Sequence, residues 1–328
     1  MERRRGSIGI ALVTGAVLVG ATACGAGGGG KAGGDDAKGP GASRTSASAS
    51  PSKPAGPPML LNTIMPQSGT TVGVAMPVSV DFANPVAAKA RAAVEKHMKV
   101  SASQPVVGAW HWLSDTRADW RPKTYWPAGT NVKVDVDMRG VANGNGRYGV
   151  RSYTHAFKIG DDVRADVSVT GHTMKVTRDG KPVRTLSINA GSSEFPTWNG
   201  TMAVMDKQEK VHMNSCSVGI SCDKGSPNYY DLTLPWDVHL TGSGTYVHYS
   251  DGDPFPGSGS ARGSHGCVHL SKADAEWFYD QVKQGDPVTI TGSSKAKAAP
   301  ENGYADFDLE WGQWLAGSAS GEGTTAAL

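Results

Sequence analysis

Short stretches in which apolar and polar residues alternate recur from residue 59 onward, and they predict a chain built mainly of β-strands. The alternation is clearest at 78–82 and at 131–138, where valine occupies most apolar positions. Because side chains two residues apart on a strand face the same side, each stretch predicts a strand with one buried face. One short helix fits within 85–97. The large apolar candidates for the core are Trp110, Trp112, Trp120 and Trp126.

A second series of predicted strands begins near residue 161 and includes one helix. The dipeptide Asp179-Gly180 lies between two alternating stretches and is a strong signal for a hairpin turn. Further strands are predicted at 186–190, 202–205, 246–248 and 288–290. A helix is predicted over 272–284, with Ser271 as its N-cap and Gly285 at its end. This half of the chain is therefore predicted to be mostly β with one packed helix.

The first residues predict export. Three arginines, Arg3 to Arg5, precede an apolar run over 8–23, which is the order of a signal peptide over 1–23. Cys24 follows small residues and resembles the lipobox cysteine of bacterial lipoproteins, which is lipidated. An ordinary signal peptide whose cleavage site lies beside a cysteine is the alternative. We expect an extracytoplasmic protein held by lipid on the outer face of the cell membrane rather than one that spans it.

The segment 24–58 has the composition of a disordered linker. It consists mostly of Gly, Ala, Ser, Pro and Lys and has no aromatic residue. Such a segment buries too little apolar surface to offset its ordering entropy. The linker would let the folded part reach the cell wall. The net charge of the whole chain is only +2 and its basic residues are scattered, which argues against a nucleic-acid partner.

The residues with the clearest chemistry are Ser264-His265-Gly266-Cys267, preceded by His248. A thiol attacks a carbonyl carbon as its thiolate, and a nearby imidazole can take the proton. Glycine beside the cysteine leaves room for a substrate carbonyl to approach backbone N–H groups. The stretch 249–263 is rich in glycine and proline and is expected to form a loop over a cleft.

The four cysteines can be assigned together. If Cys24 is acylated and Cys267 is the nucleophile, Cys216 and Cys222 remain, and their short spacing suits a local disulfide in an oxidising compartment. Two free thiols are one alternative. The other is a bridge between Cys267 and one of the pair, which would remove the nucleophile.

These residues resemble the signature of the L,D-transpeptidase (YkuD) family of bacterial cell-wall enzymes. The likeness is carried by Tyr246-Val-His248 followed by Ser264-His-Gly-Cys267. Stretches at 273–280 and 283–288 resemble the helix and strand that follow the cysteine in actinobacterial members. Stretches at 108–113 and 120–129 resemble their immunoglobulin-like domain, and 309–316 resembles their C-terminal subdomain.

The resemblance implies a mainly β fold. An immunoglobulin-like β-sandwich would be followed by a YkuD-type, β-rich catalytic domain with one packed helix and a small C-terminal subdomain. The expected boundaries are 59–160 for the sandwich, 161–292 for the catalytic domain, 293–318 for the subdomain and 319–328 for a disordered tail.

The resemblance also assigns roles to single residues. Cys267 would be the nucleophile, His248 its base, and the carbonyl of Tyr249 would orient the imidazole. His265 would support the site, Ser264 would fix the loop, and the N–H groups of Gly266 and Cys267 would stabilise the oxyanion. The residues expected near the substrate are Met213, Tyr230 and His269, the last at a position where relatives commonly have Asn or Arg.

The implied reaction is a 3→3 cross-link in peptidoglycan. The cysteine would form a thioester with the third residue of a stem peptide, the terminal D-alanine would leave, and the amine of a second stem would accept the acyl group. No cofactor or metal is expected, the protein would be a monomer, and carbapenem-type β-lactams would inhibit it. An L,D-carboxypeptidase and a non-catalytic wall-binding lipoprotein are the alternatives from the family.

Two further alternatives come from the residues alone. His265, Cys267 and His269 alternate and, with His248, could form a zinc site, although the tight spacing is poor for tetrahedral closure. A papain-like hydrolase also uses cysteine and histidine, but there the cysteine usually comes first in the chain.

Overall fold

The computed structural model describes residues 56–250 and 263–328, and its first part is a two-layer sandwich. Its strands are β1 (Pro58–Met59), β2 (Leu61–Met65), β3 (Thr71–Val72), β4 (Val78–Phe82), β5 (Met98–Ala102), β6 (Val107–Trp112), β7 (Arg117–Pro122), β8 (Asn131–Asp137), β9 (Tyr148–Gly149) and β10 (Ser152–Ile159). The predicted short helix is α1 (Ala88–Lys96). The four candidate tryptophans all lie in the core between the layers, as predicted.

The second part contains the remaining strands and two more helices. Its strands are β11 (Val163–Ser168), β12 (Thr173–Arg178), β13 (Lys181–Ser187), β14 (Gly200–Ala203), β15 (Asp206–Asn214), β16 (Asp231–His239), β17 (Tyr246–Tyr249), β18 (Val268–Leu270) and β19 (Pro287–Thr291). They are followed by the short strands β20 (Gly323–Thr324) and β21 (Ala326–Ala327). The helices are α2 (Lys272–Gln281), a 3-10 turn (Asp306–Asp308) and α3 (Trp311–Ala316). The prediction of a mainly β fold is confirmed.

The C-terminal tail is ordered, and the prediction of a disordered tail over 319–328 is wrong. Strand β20 pairs with β6 and β21 pairs with β5, so the tail adds one edge strand to each sheet of the sandwich. The resulting orders are β2-β4-β7-β6-β20 and β21-β5-β8-β10-β3. Exposed sheet edges offer unpaired backbone groups, and a strand can pair with them without bulky side chains. The small residues of the tail concealed this pairing in the sequence.

Two sheets and one helix build the second part. The orders are β13-β12-β11-β19-β14 and β15-β16-β17-β18. The predicted hairpin joins β12 and β13, and Asp179 and Gly180 both have positive φ in its turn. Helix α2 begins where predicted, with the Ser271 side chain accepting the Asp274 N–H, and its Ala275 and Phe278 pack into the shared core.

The turn after α2 joins the second part to the sandwich. The N–H groups of Gly73 and Ala75 donate to the carbonyls of Gln284 and Gly285 at 2.7 and 2.9 Å. A side chain at Gly73 would overlap the Asp286 backbone, so glycine permits this close approach. Strand β19 starts directly after the turn, and its position is therefore tied to the sandwich.

Helix α3 packs against the sandwich. The Trp314 side chain is fully buried and its Nε1–H donates to the Ala109 carbonyl at 3.0 Å. The His111 ring stacks on the Trp314 ring, with centroids 4.6 Å apart. The Arg121 guanidinium lies over the Trp314 and Trp311 rings. The C-terminal segment therefore fastens the end of the chain to its first domain.

No helix in the described ranges is long and apolar enough to cross a bilayer. The predicted signal peptide, the predicted lipidation site at Cys24 and most of the predicted linker lie outside the described residues, as does most of the predicted loop over 249–263.

Replacing Trp314 with alanine is expected to lower the free energy of unfolding by about 3–5 kcal/mol, the usual cost of truncating a buried tryptophan. Trp311→Ala is the matched control, because Trp311 lies on the same helix but is partly exposed, and its loss should be clearly smaller. Urea denaturation of both variants tests this. Equal losses would contradict a special role for Trp314 in fastening the C-terminal segment.

Candidate active site

The site is built on two neighbouring parallel strands. Strand β17 pairs with β18 so that Val247 lies beside Val268 and His248 beside His269. The two valines are buried in the core. Because strand side chains alternate between faces, His248 and Cys267 lie on the other face, diagonally across the two strands. The pairing thus brings together two residues that are nineteen positions apart in the sequence.

The His248 imidazole is fixed by one backbone bond. Its Nδ1 lies 2.7 Å from the Tyr249 carbonyl oxygen. A carbonyl only accepts, so Nδ1 carries the hydrogen and Nε2 is left with its lone pair as the basic atom. The side chain is only 2% exposed, and burial lowers the pKa of His248 to about 4 although the Tyr249 bond opposes this.

The Cys267 thiol lies between two backbone groups of the preceding loop and strand. Its Sγ is 3.6 Å from the Gly244 carbonyl oxygen, to which the thiol donates. Burial raises the pKa of Cys267 to about 12, the backbone N–H of Tyr246 acts in the opposite direction, and the charge of Asp237 raises it further. Cys267 is unbridged, so the alternative in which it joins a disulfide is wrong.

These two pKa shifts make the resting pair neutral. With an imidazole pKa of about 4 and a thiol pKa of about 12, an ion pair is strongly disfavoured before substrate binds. In such a neutral pair, His248 would act as a general base that takes the proton from sulfur during attack, rather than as the partner of a preformed thiolate.

Ser264 holds the turn that carries the nucleophile. Its Oγ donates to the Cys267 carbonyl at 2.6 Å and accepts the Gly266 N–H at 3.0 Å. Its own backbone N–H donates to the Ala190 carbonyl at 2.8 Å. Gly266 has a φ of 122°, in the region that favours glycine. The expectation that the Gly266 N–H stabilises an oxyanion is corrected, because Ser264 already occupies that donor.

His269 packs behind the base. The centroids of the His248 and His269 rings are 4.5 Å apart and the rings meet edge to face. Burial and the neighbouring His248 hold the pKa of His269 well below its usual value. The described residues that line the cleft do not include His269. The structure therefore places the His269 ring against the His248 imidazole, and contact of His269 with substrate stays a prediction.

Cys267 opens into a cleft of about 710 Å³. Met213, Tyr230 and His265 line it. The His265 ring lies between two aromatic rings, 4.8 Å from Phe195 and 5.1 Å from Tyr230 between centroids. Burial lowers the pKa of His265 and raises that of Tyr230 to about 12, so both side chains are neutral in the resting cleft.

A small disulfide ring forms one rim of the cleft. Cys216 and Cys222 are bridged, with their Cα atoms 4.4 Å apart. Within the ring, Ser217, Val218 and Ile220 face the cleft. Val218 approaches Gly244, whose carbonyl accepts the Cys267 thiol. The fully buried Ser215 anchors the ring, since its Oγ donates to the Ser221 carbonyl at 2.7 Å.

Sequence reasoning missed several residues of the cleft. Glu194 and Phe195 line the cleft near His265. Trp198 and Lys295 also line it, and the Lys295 ammonium lies over the Trp198 ring. Asp237 is fully buried beside the site, and burial raises its pKa to about 7. None of these lies in a motif. The turn Gly242-Ser243-Gly244 before β17 was the only local signal that the chain bends close to the site.

The zinc alternative does not fit the placement of the four side chains. His265 stacks between Phe195 and Tyr230, whereas His248 and His269 contact each other. Within the two described ranges, no three His, Cys, Asp or Glu side chains are arranged to hold a metal ion.

Family models match both parts of the chain. Residues 35–142 match a bacterial Ig domain, and residues 162–290 match an L,D-transpeptidase catalytic domain. L,D-transpeptidase 1 of Mycobacterium tuberculosis (strain ATCC 25618 / H37Rv) is 34% identical over 252 residues, which cover 76% of this chain and 93% of that protein. The chain belongs to the L,D-transpeptidase family. The papain-like alternative is therefore wrong.

Longer members of the L,D-transpeptidase family match as well. L,D-transpeptidase 2 of Mycobacterium tuberculosis (strain CDC 1551 / Oshkosh) is 34% identical over 260 residues, which are 78% of this chain. That match spans 62% of the relative's length, and the match to L,D-transpeptidase 5 spans 54%. The chain thus corresponds to only part of these two relatives.

Solved L,D-transpeptidases share the fold. The structure of LD transpeptidase LdtMt1 in complex with imipenem has a TM-score of 0.58 and 34% identity, covering 70% of this chain and 98% of that one. L,D-transpeptidase 3 from Mycobacterium tuberculosis, in complex with a faropenem-derived adduct, has a TM-score of 0.57 and 32% identity, covering 71% and 98%.

The neutral resting pair predicts an unusual pH profile for acylation by a β-lactam. The reaction rate of a thiol with an ordinary pKa rises about tenfold for each unit by which the pH increases toward that pKa, because only the thiolate attacks. Here the rate should show no such rise between about pH 6 and about pH 9, and it should fall steeply only as His248 is protonated near its pKa of about 4. Stopped-flow or mass-spectrometric acylation rates test this.

Asp237 supplies the control for that profile. Its ionisation near pH 7 raises the thiol pKa, so a shallow decline in rate above neutral pH is expected in the wild type. Asp237→Asn should remove the decline and leave the rate flat. A rate that climbs tenfold per pH unit in both proteins would show a preformed thiolate and contradict the neutral pair.

Removing the disulfide by Cys216→Ser with Cys222→Ser is expected to loosen one rim of the cleft. The loop-closure entropy of a ring this small corresponds to about 2 kcal/mol. Amide hydrogen exchange within 216–222 should accelerate by roughly 30-fold, while exchange in β11 and β19 stays unchanged. Unchanged exchange in the ring would mean that Ser215 alone holds it.

Proposed function

We propose that this protein is a peptidoglycan L,D-transpeptidase that works through a thioester on Cys267. The observation that carries the proposal is the parallel pairing of β17 and β18, which sets Cys267 and His248 on one face beside an open cleft. Membership of the family and the β-lactam complexes of two relatives support it. The proposed acyl donor is a tetrapeptide stem, and the proposed acceptor is the side-chain amine of a second stem.

In the first step the thiol gives its proton to His248 Nε2 as sulfur bonds to the carbonyl carbon of the third stem residue. The carbonyl oxygen becomes an oxyanion. Among the described residues the Cys267 N–H makes no hydrogen bond, so it is left free to stabilise that charge. The bond to D-alanine then breaks, its nitrogen takes the proton from the imidazolium, and a thioester remains.

In the second step the acceptor amine attacks the thioester carbon. His248 takes a proton from the attacking nitrogen, the carbon–sulfur bond breaks, and the proton returns to sulfur. The product is a 3→3 cross-link and the free thiol. Neutral His248 is the form needed at the start of both steps, and the low pKa of His248 keeps it in that form at neutral pH.

The chemistry of the site suits acyl transfer better than hydrolysis. The Cys267 thiol donates to the Gly244 carbonyl, and part of the cleft wall is formed by the aromatic rings of Phe195, Tyr230 and Trp198. A neutral amine is a stronger nucleophile than water, which favours aminolysis of the thioester. Hydrolysis of the same thioester would give the L,D-carboxypeptidase activity.

The proposal places the reaction outside the cell. The signal peptide and the lipidated Cys24 would anchor the chain to the outer face of the cell membrane, and the linker would let the catalytic part reach the wall. Carbapenem-type β-lactams are proposed inhibitors, because they would acylate Cys267 in place of the stem peptide.

Cys267→Ala is expected to abolish both D-alanine release from a tetrapeptide stem and the mass increase produced by imipenem. His248→Ala should keep the thiol but slow both reactions by about 10²–10⁴-fold, the usual contribution of a general base. Mass spectrometry of protein and products is the measurement. His155→Ala, in the sandwich, is the control and should behave as wild type.

The products decide between the two activities. With an acceptor amine present, a dimeric peptide identifies a transpeptidase, whereas tripeptide alone identifies a carboxypeptidase. D-alanine release that persists in Cys267→Ala would overturn the proposed nucleophile and the thioester route together.

A further inference from the structure

The side chain of Lys295 packs on the ring of Trp198 in the wall of the cleft. The Lys295 Nζ lies 3.9 Å from the centroid of the Trp198 ring, and both residues line the cleft with Cys267. The Trp198 Nε1–H donates to the Ser243 Oγ at 3.1 Å, which fixes the plane of the indole. A cation over an indole face is held by the ring quadrupole, so the ammonium has a defined position.

The loop that carries Lys295 is held by the side chain of Asn199. The Asn199 side-chain amide donates to the carbonyls of Ser293 and Lys295, and its oxygen accepts the Ser293 N–H at 3.1 Å. Asn199 follows Trp198 directly in the chain. The same short segment therefore holds the backbone under the lysine and supplies the ring beneath its ammonium.

The ammonium has no counter-ion in the described part of the chain. No carboxylate there lies within salt-bridge distance of Lys295, and its Nζ makes no hydrogen bond. Lys207 and Lys283, in contrast, each have oxygen acceptors. Burial without an anion lowers the pKa of Lys295. Among the described residues that line the cleft, Lys295 is the one lysine or arginine.

The ammonium and the thiol face the same cleft. The Cys267 Sγ lies 3.6 Å from the Gly244 carbonyl, and the next residue back, Ser243, accepts the Trp198 indole. The backbone at 243–244 therefore contacts both the thiol and the ring that carries the lysine.

We propose that Lys295, held on Trp198, binds the C-terminal carboxylate of the acyl-donor stem peptide. The inference rests on the proposed function and adds the group that the cleft recognises beyond the scissile bond. In a tetrapeptide stem this carboxylate is separated from the attacked carbonyl carbon by three covalent bonds. It therefore enters the same cleft as the attacked carbonyl, where Lys295 is the one lysine or arginine among the described lining residues.

The chemistry of the pair suits a carboxylate that must later leave. An ammonium binds a carboxylate through one or two hydrogen bonds without the two-point geometry of a guanidinium. The indole limits the rotamers of the lysine, which reduces the entropy lost on binding. When D-alanine is released the carboxylate leaves with it, and the site is empty for the acceptor stem.

The test compares tetrapeptides that end in a carboxylate or in a carboxamide. Wild type should release the terminal residue from the acid with about 10- to 100-fold higher kcat/KM, the range expected of a hydrogen bond to a charged group. Lys295→Met keeps an unbranched aliphatic side chain on Trp198 but removes the charge. This variant should process both peptides equally. Lys295→Arg should restore most of the preference.

Lys297→Met is the matched control and should keep the wild-type preference, because Lys297 is exposed and outside the cleft.

The outcomes separate this inference from the proposed function. If wild type releases nothing from either peptide, and Cys267→Ala behaves identically, the proposed function fails. If wild type is active but Lys295→Met still prefers the acid, the lysine site is wrong. A third peptide, with an internal stem carboxylate converted to an amide, identifies the source. A preference that depends on that internal group, and not on the terminus, would overturn the assignment.

Discussion

The parallel pairing of β17 with β18 is the constraint on which the site depends. It places Val247 beside Val268 in the core and, on the opposite face, His248 near Cys267. Parallel neighbours require a crossover, and the chain enters β18 from the turn held by Ser264. A shift of one residue in this register would send either the imidazole or the thiol to the core face. The two buried valines oppose that shift, so apolar packing on one face fixes the catalytic geometry on the other.

Burial determines the protonation states of Cys267 and His248, and so determines when they can react. Removal from water disfavours both charged forms, so the thiol is protonated and the imidazole neutral before substrate arrives. A neutral thiol is a poor target for oxidants and stray electrophiles. Reaction then requires a carbonyl placed so that proton transfer and attack occur together. The support of His248 by the Tyr249 carbonyl and by the His269 ring provides that geometry in advance.

Sequence patterns predicted the elements whose signal is local. Alternation located the strands, Asp179-Gly180 located the hairpin, and Ser271 located the start of α2. Contacts between distant segments were not predictable in this way. The tail strands β20 and β21 depend on the edges of β6 and β5, which no residue of the tail reveals. Likewise, the motifs identified Cys267 and His248. The contact of the His269 ring with the His248 ring, and that of Lys295 with Trp198, depend on tertiary packing.

The sandwich supports the cleft through hydrogen bonds to neighbouring segments. The turn at 284–286 is fastened to Gly73 and Ala75 of the sandwich, and β19 begins at its end. Strand β19 pairs with β11 and β14 and then leads directly into the loop of Lys295, which Asn199 holds from the end of β14. The sandwich is also tied to the loop before β17, because Arg117 donates to the Gly303 carbonyl and the adjacent Asn302 hydrogen-bonds Ser243. The first domain therefore supports both sides of the cleft, the loop of Lys295 and the turn beside Cys267.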